Sequence, residues 1–137
     1  MKNIFRFNGF TLTELLVTIA LMAILAVVAV NIFSQQARKG RRIDGINVIL
    51  TISLSEERYR SNNSTYGTLA QVWGGTTSPE GYYTLTVSGN TATAYTITAT
   101  AAGDQVNDKE NSTSCTPLVM SVSNGAITKT PAGCWPT

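Results

Sequence analysis

The chain of 137 residues contains no histidine and only two cysteines. Without histidine, neither a His-based catalytic triad nor a His-ligated metal is available. The cysteines, Cys115 and Cys134, stand late in the chain and in no CxxC spacing, so a zinc site would need two further ligands that no neighbouring pattern offers. Charge is scarce too: Asp, Glu, Lys and Arg make up 13% of the residues, and the net charge is +2. From Ser61 onward two bases, Lys109 and Lys129, face four acids, Glu80, Asp104, Asp108 and Glu110. That mildly acidic half argues against an electrostatic grip, so nucleic acid is not expected as a partner. No nucleophile–base pair, phosphate loop or ladder of metal ligands is present. The sequence therefore describes no enzyme and calls for no cofactor.

What the chain does have is the stretch "NGFTLTELLVTIALMAILAVVAV". From Leu15 to Val30 its only polar side chain is Thr18. As a helix, residues 10–33 would span roughly 36 Å, enough to cross a bilayer core. Glu14 stands at the mouth of this segment, and an acid at membrane depth is a functional hypothesis by default. A cleaved secretory signal, with Ala26 and Ala29 near its end, is the competing reading. Glu14 speaks against it, because it interrupts the start of the apolar region. After an export-type segment, Cys115 and Cys134 read as one disulfide in an oxidising compartment. Closing a loop of about 15–20 residues is worth roughly 3 kcal/mol.

The helical pattern continues past the apolar run. Residues 34–60 contain no proline, and Ile43, Ile46, Leu50 and Leu54 recur at three- and four-residue steps. Ile49 and Ile52 widen that stripe, leaving Arg42, Asp44, Asn47 and Glu57 for the rest of the surface. Gly40 and Gly45 weaken the helix and mark the natural place for a bend. After a Gly-, Thr- and Ser-rich loop over 61–81 the period changes to two. "YYTLTV", a turn at "SGN" and "AYTITAT" read as a hairpin with Tyr83, Leu85, Val87, Tyr95, Ile97 and Ala99 facing inward. A polar loop, "AAGDQVNDKENSTS", leads to a third strand with Leu118, Met120 and Val122 inward, an "NG" turn and a short fourth strand, "AITK". A helix followed by a small antiparallel sheet is an α+β layout, with the stripe of residues 43–54 covering the sheet.

The stretch Gly9-Phe10-Thr11-Leu12-Thr13-Glu14-Leu15, set ahead of a long apolar run, resembles the leader and processing site of type IV prepilins and related pseudopilins. The resemblance is sharp over residues 9–30 and loose beyond, where a long helix, a connecting loop, an antiparallel sheet and a two-cysteine loop follow in the family's order. It implies that residues 1–9 are a leader cut after Gly9, and that Phe10 becomes the new N-terminus and is N-methylated by the same leader peptidase/methyltransferase. Glu14 would neutralise the Phe10 ammonium of a neighbouring subunit. Residues 10–33 would be the membrane and filament-core helix, residues 34–60 its amphipathic continuation and residues 61–137 the head. The implied partners are other pilin subunits, the inner membrane and the pilus assembly machinery. The implied location is the inner membrane with the head in the periplasm, then the extracellular filament.

The C-terminal "CW" ending looks most like a Gram-negative minor pilin. The major pilin, a DNA-uptake pilin, a type II secretion pseudopilin and a plain single-pass periplasmic domain are the alternatives. Two departures stand out. Where many pilins place helix breakers, this chain has Ala23 and Asn31, so a continuous helix is expected. Four bases, Arg38, Lys39, Arg41 and Arg42, follow the span and only Lys2 and Arg6 precede it, which on positive-inside counting points the wrong way. These four bases are read as lying near outer headgroups or a neighbouring subunit.

Asp104, Asn107, Asp108, Glu110 and Asn111 offer the oxygen ligands calcium prefers, but without EF-hand spacing, so a solvated polar loop is the expectation and no metal is assigned. Trp73 and Trp135 are expected in packing. The acceptor triplets at Asn63 and Asn111 predict surface positions for both loops.

Overall fold

A computed structural model describes residues 9–136. Residues 1–8 of the expected leader, with Lys2 and Arg6, lie outside the described residues. The chain divides into two units, the second starting at Gln35, and each is taken by itself.

Helix α1 runs unbroken from Leu12 to Asn62, as the lack of proline predicts. Thr11 caps its start: the Thr11 hydroxyl accepts from the Glu14 N–H at 3.2 Å, satisfying one of the orphan donors of the first turn. Within the first unit every described residue from Gly9 to Phe33 is exposed in the isolated chain. The helix is long and apolar enough to cross a membrane. Its few polar groups turn back on the helix: the Thr18 hydroxyl donates to Leu15 O at 2.8 Å and Asn31 Nδ2 to Val27 O at 3.1 Å. At the far end, Asn62 and Asn63 donate through their side chains to the carbonyls of Arg58 and Tyr59 in the last turn.

In the second unit a short helix, α2 (Leu69–Val72), interrupts the expected loop. Four antiparallel strands follow: β1 (Tyr83–Ser88), β2 (Ala94–Ala101), β5 (Leu118–Ser123) and β6 (Ala126–Thr130). They lie in the order β1-β2-β5-β6. The expected polar loop between β2 and β5 has structure of its own: a 3-10 turn at Gly103–Asn107 and a two-residue hairpin, β3 (Lys109–Glu110) with β4 (Thr113–Ser114). Two-residue strands fall below the length at which alternation can be read. Asn124 and Gly125 both have positive φ, as the tight turn between β5 and β6 requires.

The inward-facing strand residues are as the alternation predicts: Tyr83, Leu85, Tyr95, Ile97, Ala99, Leu118, Met120 and Val122 are buried, with Val87 packed at their margin. Trp135 joins this core and Trp73 packs against it. The helix stripe needs correction. Its buried residues are Arg42, Gly45, Ile46, Val48, Ile49, Ile52 and Glu56, whereas Ile43, Leu50 and Leu54 remain 49%, 43% and 54% exposed. At about 100° per residue, positions i, i+7 and i+11 form a line of their own, roughly a third of a turn from the core-facing line. Both lines are apolar, so apolarity alone did not say which one the sheet would take.

Gly45 is also not a bend. An added Cβ there would come within 2.9 Å of the Tyr83 ring, so glycine lets the ring lie against the helix backbone. At Gly40 nothing lies within 4 Å.

Candidate functional site

Gly9 and Phe10 precede the first helical turn and are exposed, and Glu14 sits at its third position. That places a carboxylate where the helix dipole favours one, above the Thr11 cap. The spacing Thr11-x-x-Glu14 is a capping pattern that the sequence reading passed over. The Glu14 backbone serves the cap, while its carboxylate accepts no hydrogen bond among the described residues.

The largest departure from the sequence reading lies at the other end of the apolar run. The bases that follow the span form a ladder of ion pairs with the segment after β2. Arg38 donates through Nε and Nη2 to Asp104 at 3.0 and 2.9 Å, and Lys39 reaches Glu110 at 2.8 Å. Arg42 forks onto Asp108 at 2.7 and 2.8 Å and extends Nη1 to Glu110 at 3.1 Å. Arg41 approaches Asp104 at 3.9 Å and lies over the Tyr82 ring, 4.9 Å from its centroid. Arg42 and Asp108 are both buried, contrary to the expectation that Arg42 lies on the surface.

These bidentate, charge-assisted contacts hold the Asp104 carboxyl below its usual range through the Arg38 guanidinium, and the Glu110 carboxyl below its own through Lys39 and Arg42. The Arg38 and Arg42 guanidinium groups are raised in turn, chiefly by hydrogen bonds to Asp104 and Asp108. The three carboxylates weighed as calcium ligands, Asp104, Asp108 and Glu110, are therefore turned toward arginine and lysine.

The four bases after the span have a structural purpose in the head, whatever they contribute to orientation. The acidic count beyond Ser61 is misleading, because Asp104, Asp108 and Glu110 are matched by cations from the helix. Among the described residues Arg58, Arg60, Lys109 and Lys129 form no ion pair, and Lys129 instead lies over the Trp135 ring at 5.4 Å.

A second buried acid was also missed. Glu56, fully buried, accepts from Gly67 N at 2.7 Å and from Asn90 Nδ2 at 3.4 Å, while Asn90 Nδ2 also donates to Gly67 O. It ties α1 to the start of the connecting loop and to the turn between β1 and β2. Burial pushes its carboxyl up, offset in part by the Gly67 N–H. Beside it, the Tyr66 ring packs at a tilt on Tyr95, their centroids 4.5 Å apart; the Tyr95 hydroxyl meets Ser53 at 2.8 Å and is pushed up to about 12 by burial.

Cys115 and Cys134 form the expected disulfide, 19 residues apart with Cα atoms 5.5 Å apart. The bridge lies in the core beside Trp135, whose Nε1 donates to Thr130 O at 3.2 Å. Asn63 and Asn111 are both exposed, as their triplets predicted.

Comparison with known families adds two matches. Residues 4–30 match the prokaryotic N-terminal methylation motif. Residues 32–119, more than half of the chain, match the family described as type IV minor pilin ComP, DNA uptake sequence receptor. A search of curated proteins returns no match. The expectation that nucleic acid is not a partner stands at odds with that family description.

Proposed function

Because the chain belongs to the ComP family of type IV minor pilins, we propose that it enters the filament through Gly9, Phe10 and Glu14. The leader peptidase removes residues 1–9 after Gly9 and methylates the new N-terminal Phe10. Residues 10–33 hold the subunit in the inner membrane until the assembly machinery extracts it, with residues 34–60 continuing the helix into the head of residues 61–137. Other pilins then surround the apolar helix. Glu14 neutralises the Phe10 ammonium of a neighbouring subunit.

One observation carries this reading: the Glu14 carboxylate is exposed and accepts no hydrogen bond among the described residues, at the mouth of an apolar helix whose described residues 9–33 are all exposed. Opposite charges attract far more strongly in an apolar core than in water, and a charge left alone there costs several kcal/mol. Such a pair acts mainly on axial register. Glu14→Ala and Glu14→Gln are expected to reach the membrane at normal levels and to be missing from sheared filaments. Normal incorporation of both would remove Glu14 from the assembly contact.

A second reading, capture of DNA by the head, follows the family description. It is favoured by the cations Arg58, Arg60, Lys109 and Lys129, which form no ion pair among the described residues, although Arg60 also donates to Ala92 O and Asn63 O. Its test is duplex binding across a salt series. If Arg58 or Arg60 neutralises one phosphate, reversing its charge should reduce the log–log salt slope by about 0.9. An unchanged slope would remove these residues from the reading.

A further inference from the structure

Between residues 37–51 of α1 and residues 73–82 of the connecting segment runs a cleft of ≈ 540 Å³. Sites that take small molecules measure about 300–1,000 Å³ and join apolar walls to a few placed polar groups. Here the walls include the Trp73 and Tyr82 rings, and the polar groups include Arg41, Asp44, Asn47 and Glu80. Unlike the ion-pair ladder, this set is largely unspent. The Asn47 amide and the Glu80 carboxylate make no hydrogen bond among the described residues. Arg41 lies over the Tyr82 ring and comes no closer to Asp104 than 3.9 Å. Asp44 Oδ1 accepts from the Glu80 N–H at 3.3 Å, whereas Oδ2 is buried and has no partner among the described residues. An acceptor cut off from water gains more from a ligand's donor than a solvated one does.

Gly40 lines the same cleft. Glycine weakens a helix interior relative to alanine. Gly45 has its reason in the Tyr83 ring, but a Cβ at Gly40 would meet nothing within 4 Å. The bare backbone leaves that stretch of the cleft open to an incoming group.

The lining also selects the class of ligand. A phosphate would face two carboxylates against one guanidinium, and an apolar molecule would strip water from all three charges. A bare metal ion would leave the aromatic walls unused. A pyranose matches both kinds of wall: its C–H face suits an aromatic ring, and its hydroxyls both donate and accept. The excess of one acid favours a neutral sugar over an acidic one.

We propose that this cleft binds a neutral pyranose unit of a glycan, with Trp73 against the apolar face and Arg41, Asp44, Asn47 and Glu80 on the hydroxyls. Neither filament entry nor capture of DNA, as read above, uses any of these residues.

The test is saturation-transfer NMR on the full chain in micelles of a detergent without a sugar head group. The probes are the methyl glycosides of glucose, galactose and mannose at millimolar concentration. At least one should receive saturation on one ring face, and methyl glucuronide should bind about tenfold more weakly. Asp44→Asn should weaken binding about tenfold. Gly40→Leu should fill the open stretch and abolish the transfer, with a thermal midpoint at or above that of wild type.

No transfer from wild type to any of the three glycosides would overturn the proposal. Undiminished binding by Gly40→Leu would do the same, as would equal binding of the glucuronide. Transfer to a blocked tri-alanine peptide but to no glycoside would also overturn it, since the cleft would then hold a protein segment.

Discussion

Arg42 and Asp108 are joined by two hydrogen bonds of 2.7 and 2.8 Å between side chains that are both buried. The pair brings a residue of α1 together with one 66 positions later and fixes the segment after β2 on the helix. Arg42→Ala would leave the Asp108 carboxylate buried without its partner. Denaturant unfolding of the head should then show a loss of about 3–5 kcal/mol. Replacing both residues by apolar ones of similar volume should cost much less, because no charge is stranded.

Glu56 gives the head a pH dependence with a definite sign. Burial raises its carboxyl in the folded state above the ordinary value of 4.5. The folded state therefore binds its proton more tightly than the unfolded state does. That contribution is fully present below the ordinary value and is lost as pH rises through the raised folded value. Asp104 and Glu110, both lowered, act oppositely, and their contributions are lost as pH falls through their folded values. Stability of wild type relative to Glu56→Gln should decline as pH is raised from about 4 to 7. A difference independent of pH would contradict the assignment.

The two glycines of the helix should respond in opposite directions. Gly45→Ala places a methyl against the buried Tyr83 ring and should cost about 1–3 kcal/mol despite the better helix former. Gly40→Ala meets nothing within 4 Å and should stabilise by about 0.5–1 kcal/mol. Thermal unfolding of the two variants side by side checks both values.

Removal of the Cys115–Cys134 bridge by the double change to serine should cost about 3 kcal/mol, the loop-closure value for this separation. Because the bridge lies in the core with Trp135, the loss should appear in the near-ultraviolet signal of that tryptophan as well as in the unfolding midpoint.

The long helix, the four main strands and the turn at Asn124–Gly125 were legible because each repeats a period over enough residues to show it. The α1 stripe was only half legible, since Ile43, Leu50 and Leu54 compete with Ile46, Ile49 and Ile52 for the same face on hydrophobicity alone. The ion-pair ladder was hidden for another reason. Its partners are some 66–71 residues apart, and single-residue charge counts do not reveal pairing. One signal was present: Arg38 and Arg42 are four apart, as are Asp104 and Asp108, so two rungs match. The burial of Glu56 was not legible, because nothing local indicates that Gly67 and Asn90 will close over it.

The N-terminal motif was legible as a motif, a short pattern ahead of an apolar run that residues 4–30 match. The central claim, that this chain is processed there and built into a filament as a minor subunit, is tested most directly by intact-mass spectrometry of filaments sheared from cells. The account predicts a minor component lacking residues 1–9, carrying one methyl group and one disulfide. Only unprocessed chain, confined to the membrane, would contradict it.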